Sequence, residues 1–236
     1  MFHAIRHWWI EGRGKLTARL FVFELFVVTL GVLLAQGIAN WSQRRAAVGQ
    51  MRDATARWEA DAAAMRFTTF AWNVAVPCFD ARMDDVLLKL SQGPIVPELA
   101  VRPQLRFPIL QPLGEADTLV ARKMDGSERV DAMADMSSIA DRMNRAVLTI
   151  AEQWGRLSVA ANGHGPVTEE DRSVARVAAA DIKAQVRNIQ LSANYFEVAA
   201  DRMGIAILKE PNFRSARTCS EIWQTNSMTP MRERQP

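Results

Sequence analysis

Few side chains in this sequence stand where chemistry would need them. Glu24 is the most unusual, a carboxyl inside an otherwise apolar run from Leu20 to Ile38. A carboxyl in hydrocarbon must face protein, reach the headgroups or take up a proton. Three roles therefore stand open for it: snorkelling towards water and Arg19, joining a helix–helix interface, or serving a proton or ion pathway. His3 and His7 are four residues apart, a spacing that can hold a metal on one helix face. They read as a surface pair. The last of the 3 histidines, His164, sits in the turn Asn162-Gly163-His164-Gly165-Pro166 without a catalytic partner. The acids Asp80, Asp84 and Asp85, and Glu169, Glu170 and Asp171, suit solvated faces and helix starts better than metal sites. Cys78 and Cys219, the 2 cysteines of the chain, both lie beyond the apolar run. In an oxidising compartment they could close one disulfide; in the cytoplasm they would stay thiols. The sequence has no Gly-rich phosphate loop, no nucleophile elbow and no CxxC pair. We therefore expect no catalytic site, no cofactor and no metal, and do not read the chain as an enzyme.

The element that must position Glu24 is the apolar run itself. Roughly 19 residues rising 1.5 Å each reach about 28 Å, close to the hydrocarbon thickness of a bilayer. Lys15 and Arg19 precede the run, Arg44 and Arg45 follow it, and Trp8, Trp9 and Trp41 stand where interfacial aromatics belong. This pattern predicts a transmembrane helix over residues 20–41 after a basic, aromatic leader over 1–19. The leader's first turns suit an amphipathic helix in the headgroup region, with Gly12 and Gly14 breaking it from the span. Glu24, Gly31, Ala35 and Ile38 fall within about 60° of one another on a helix, forming a candidate membrane-helix interface. Gly31, Ala35 and Ala39 add the small-xxx-small spacing that lets two such helices approach, which predicts a homo-oligomer. Gly37-Ile38-Ala39 looks like a signal-peptidase site, but the length of the run, Glu24 and the long leader favour an uncleaved signal anchor.

The span and its exit resemble a group of uncharacterised bacterial single-pass membrane proteins, catalogued as a domain of unknown function. The resemblance rests on a short basic leader, then Glu24, an apolar run, Gly31, and the closing pair Asn40-Trp41, with Ala35 and Ile38 also in place. The glutamine of that pattern is displaced by one position, to Gln36, and Gly37 stands in its usual place. The likeness covers roughly residues 1–60. It implies a membrane-anchored helical protein and carries no known activity.

Behind the span, a chain of 236 residues leaves room for one modest domain. Its net charge of +3 comes from basic residues spread along helices, so no nucleic-acid partner is expected. Val48, Met51, Thr55, Trp58, Ala62, Met65, Thr69 and Trp72 recur at steps of three and four. That stripe suits either a coiled-coil stalk or the first helix of a bundle, and its Thr and Ala positions favour the bundle. Pro77 should end this helix by pushing Val76 out of helical geometry. A second helix is expected over 78–92, burying Phe79, Met83, Val86, Leu87 and Leu90. Between Gly93 and Gly114, Pro94, Pro97, Pro103, Pro108 and Pro112 exclude a continuous helix. Val96, Leu99, Val101, Leu105, Phe107, Ile109 and Leu110 argue that this segment packs on the bundle or on a partner. It is the leading candidate for a recognition surface, with simple packing the favoured reading.

A short helix over 115–123 should end at the Asp125-Gly126 turn, with Ser127 capping a long helix. Its buried stripe is Val130, Met133, Met136, Ala140, Met143, Val147, Ile150 and Trp154, read as core ahead of a Met-rich binding groove. Thr168 and Asp171 resemble a capping box opening the last long helix. That helix should bury Val174, Ala178, Ile182, Val186, Ile189, Ala193, Phe196, Ala200 and Met203, and stop at Gly204.

The expected object is all-α: one N-terminal transmembrane helix, then a bundle of about four helices over 42–204, then a tail over 205–236 that is partly disordered. The expected role is a membrane-anchored interaction or sensor-like module, with the lipid bilayer, a second copy of itself and a protein or small ligand as partners. The rival is an accessory subunit of a proton-coupled membrane assembly that uses Glu24. Basic residues near the two ends of the span almost balance, so the positive-inside rule says little. The short leader, the mixed charges after Arg45 and the even cysteine count favour a bacterial inner-membrane protein with its bundle in the periplasm.

Overall fold

The computed structural model describes residues 13–103, 106–163 and 165–207, with side chains described from residue 19 onward. His3, His7, Trp8, Trp9, His164, Cys219 and the tail from residue 208 lie outside the described residues. The fold is all-α. Its helices are α1 (Arg13–Gln92), α2 (Glu115–Met124), α3 (Ser127–Ser158) and α4 (Glu169–Met203), with a 3-10 turn at Pro97–Ala100. The chain divides into two compact units, Met1–Arg52 and Asp53–Pro236. Helix α1 contributes to both.

In the first unit every described side chain from Arg19 to Ala46 is exposed, including the whole apolar run. This is one helix long and apolar enough to cross a membrane, with none of its apolar window buried. Gly14 lies inside α1 and breaks nothing there. The continuous i to i−4 ladder tolerates an isolated glycine at a cost of only about 1 kcal/mol.

The second unit is built on a single core. Trp58, Ala62, Met65, Trp72, Val76, Phe79, Met83, Val86 and Leu90 of α1 pack with Met133, Met136, Ala140, Met143, Ile150 and Trp154 of α3. Helix α4 closes that core with Ala178, Ile182, Val186, Ile189, Ala193, Phe196 and Ala200. The stripe along α1 therefore serves a bundle. Trp72 stacks obliquely on Phe79, with ring centroids 5.2 Å apart, and meets Phe107 edge-on at 6.0 Å. Alanines dominate the α4 face, so its backbone lies close to its neighbours, and large side chains from α1 and α3 fill the space.

Pro77 does not end the helix. It sits inside α1, which runs on to Gln92 without interruption. Pro77 withholds one N–H, but Trp72, Val76, Phe79 and Met83 around it are all buried. Keeping that face in register outweighs the roughly 3 kcal/mol that an interior proline costs. Ser127 likewise is the first residue of α3, not its cap: Gly126 takes the cap position at φ 89°, with no side-chain cap bond. A positive φ there suits glycine and would strain serine. Val174 is 43 % exposed, because Ala175 in its place turns towards the core. The capping box at Thr168 and Asp171 is formed as read, and Gly204 closes α4 in the left-handed conformation at φ 69°.

Candidate functional site

Three features of the fold bring side chains together in ways that bear on function. The first is the exposed face of the apolar run. Glu24, Gly31, Ala35 and Ile38 lie on one uninterrupted helix, all exposed, and helical geometry puts them on one side. Among the described residues, a Cβ built on Gly31 or Gly37 would meet nothing within 4 Å. At the far end of the run, the Arg45 guanidinium lies over the Trp41 ring, 5.4 Å from its centroid. Such a pair places a cation and an amphipathic ring where a headgroup layer would meet them.

The second feature is a polar clamp between α1 and α4, which sequence reasoning missed. Arg66 Nε donates to Glu197 Oε2 at 2.8 Å, and its two Nη atoms donate to Asp201 and to the Ile205 carbonyl. The fully buried Thr69 hydroxyl lies within hydrogen-bond reach of both the Arg66 carbonyl, at 2.7 Å, and Glu197. Burial disfavours the Arg66 cation, but the hydrogen bonds it donates to Glu197 and Asp201, with their charges, outweigh it and hold its pKa above the ordinary value. Charge-assisted bonds of this kind contribute about 1.5–3 kcal/mol where partly desolvated. The clamp joins the end of α4 to the middle of α1. Its only sequence trace is the Glu197/Asp201 pair, one turn apart, because Arg66 is 131 residues from Glu197. A separation of that kind carries no periodic signal.

The third feature is the proline-rich segment. The structure packs it down on the bundle, as its apolar residues led us to expect. Ile95, Phe107 and Leu110 enter the core, and Pro103 is buried. Ile95 exchanges backbone bonds with α3's exit: its N–H reaches the Ala160 carbonyl at 2.9 Å, and its carbonyl accepts from Asn162 at 2.8 Å. Trp154 Nε1 donates to the Ala100 carbonyl at 2.8 Å, and Arg82 donates to the Glu98 carbonyl. Burial lowers the Arg82 pKa from its ordinary value, with Asp85 acting in the opposite sense. Val96, Val101 and Ile109 remain exposed, Ile109 at 73 %. Five prolines held by these anchors give a stiff cover over one end of the core.

Among the described residues, no group of three His, Cys, Asp or Glu side chains could hold a metal ion. A shallow groove of ≈ 440 Å³ between α3 and α4 is lined by Arg142, Arg145, Thr149, Asn188, Ser192 and Tyr195. It is open and half-apolar, suited to a contact surface more than to enclosing a small molecule. Of the cysteines, Cys78 is disulfide-bonded, and Cys219 lies outside the described residues. No family model, no curated protein and no solved structure matches this chain.

Proposed function

We propose that this protein is a membrane-anchored helical interaction module, sensor-like in design, that self-associates through its span and engages a partner with its bundle. The observation that carries the reading is the apolar run of α1, exposed along its whole length and continued by the same helix into a well-packed bundle. Exposed apolar surface of that extent is stable only in lipid or against another protein. The resemblance of Glu24, Gly31 and Asn40-Trp41 to bacterial single-pass proteins agrees with it. The amino terminus lies inside and the bundle in the periplasm, anchored by an uncleaved signal anchor in the inner membrane. Two carboxy-terminal fusions after Pro236 test this, one to alkaline phosphatase and one to green fluorescent protein. Phosphatase activity without fluorescence is the expected result. A fluorescent, phosphatase-inactive pair refutes the periplasmic bundle.

A second reading makes the chain an accessory subunit of a proton-coupled assembly. The observation favouring it is Glu24, an ionisable group amid exposed apolar side chains on a helix. The two readings separate on Glu24→Gln. An interaction module carrying it assembles and works, whereas a proton-coupled subunit assembles and loses function.

A further inference from the structure

The open groove between α3 and α4 has an apolar floor and a cationic wall. Met143 and Ile189, both buried, lie beneath it, and Leu191 and Tyr195, 58 % and 67 % exposed, stand on its α4 side. Arg142 and Arg145 stand on its α3 side, and no acidic side chain is among the described residues that line it. Among the described residues Arg142 makes no ion pair, and Arg145 meets Asp141, one turn back on its own helix. Both members of that pair are more than half exposed, so it contributes only about 0–1 kcal/mol and yields to a competing carboxylate. Across α3, Arg102 and Arg106 border a smaller groove of ≈ 220 Å³ beside Leu148, again with no acid among its described lining. The acids of this part of α3, Asp141 and Glu152, are exposed on the crest between the two grooves.

A simple anion would meet Arg142 but leave Leu191 and Tyr195 uncovered. The backbone groups of α3 and α4 are spent within their own helices, so an extended peptide would find no ladder to join. A helix brings its own hydrogen bonds and packs its side chains between those of two neighbours. We infer that this groove seats an acidic amphipathic helix of a partner protein, laid against α3 and α4. The inference rests on the partner-binding role proposed above and names the chemistry of that partner. The groove runs from Gln185 to Tyr195, about 15 Å along α4, which takes about ten residues of helix. Apolar side chains one turn apart on that helix cover Leu191 and Tyr195. Asp or Glu on its flank meets Arg142 and Arg145, whose forked guanidinium groups suit carboxylates. A contact this small is transient, and its charges act chiefly on the rate of encounter.

The test uses the full chain in its own cells, with a photo-crosslinking amino acid placed at Ser192 in the groove. The same probe at Leu88 and at Leu119, both exposed, reports on two other faces. The expected result is a Ser192 adduct with another protein, in whose linked peptide Asp and Glu outnumber Lys and Arg. Arg142→Glu should cut that adduct about five-fold or more, because like charges then meet. Lys89→Glu, a reversal on α1, should leave it unchanged. Should Arg142→Glu lose helicity by circular dichroism, Arg142→Gln takes its place, with a loss of about three-fold expected. Equal yield from the Arg142 variant overturns the inference. So does a Ser192 adduct with a second copy of this chain, with lipid, or with a peptide poor in acids. Adducts at Leu88 or Leu119 alone overturn it and leave the partner-binding role standing. No adduct at any of the three positions overturns both.

Discussion

Replacing Ser137 by alanine tests the core at its one buried side-chain hydrogen bond between α1 and α3 among the described residues. Trp58 Nε1 donates to Ser137 Oγ at 3.1 Å, and that hydroxyl donates onward to the Met133 carbonyl at 3.0 Å. Trp58 is 3 % exposed and Ser137 4 %, so water does not replace a lost partner. Ser137→Ala removes the acceptor and leaves the indole N–H buried and orphaned, at a cost of about 1–3 kcal/mol. Trp58→Phe removes the donor instead, and the serine hydroxyl keeps its Met133 partner. In that background Ser137→Ala orphans nothing and gains about 0.5 kcal/mol of helix propensity. The serine substitution should therefore cost at least about 1 kcal/mol more when Trp58 is present than in the Trp58→Phe background, a coupling that a double-mutant cycle isolates. Urea unfolding of the four proteins, followed by circular dichroism, measures it. Equal costs in the two backgrounds would refute the reasoning, since the indole would then not depend on the hydroxyl.

Other consequences follow from the same geometry. A fragment beginning at Arg45 should be soluble, helical by circular dichroism and cooperative on heating, because the core draws on residues from Trp58 onward; aggregation of every such fragment contradicts this. Gly31→Leu should weaken self-association in a membrane two-hybrid assay more than Val32→Leu does. A Cβ at Gly31 meets nothing within 4 Å among the described residues, so a loss of signal points to a neighbouring copy. Asp171 should govern part of the acid limb of stability. Its side-chain and backbone hydrogen bonds with Thr168 hold its pKa below the ordinary 3.8. A depressed folded pKa gives stability that is complete above the unfolded value and lost as pH falls through the folded one. Asp171→Ala should therefore be less stable at neutral pH, and its thermal midpoint should fall less on acidification; an unchanged acid limb would count against the capping box.

Much of this protein was legible in its sequence, and the reasons are local. The apolar run, its flanking charges and the stripes of α1, α3 and α4 are periodic features, and helix formation reads periodicity directly. The capping box at Thr168 and the stop at Gly204 were equally plain, because each depends on a few adjacent residues. Tertiary structure decided what local rules could not. Pro77 stays inside α1 because the buried face around it holds the helix in register. The proline-rich segment lies down on the core because Ile95, Phe107 and Leu110 find apolar space that only the assembled bundle creates. The Arg66 clamp joins side chains more than a hundred residues apart, a pairing fixed only once α4 packs beside α1. Sequence determined which faces were apolar; the packing of one helix on another determined what each face met.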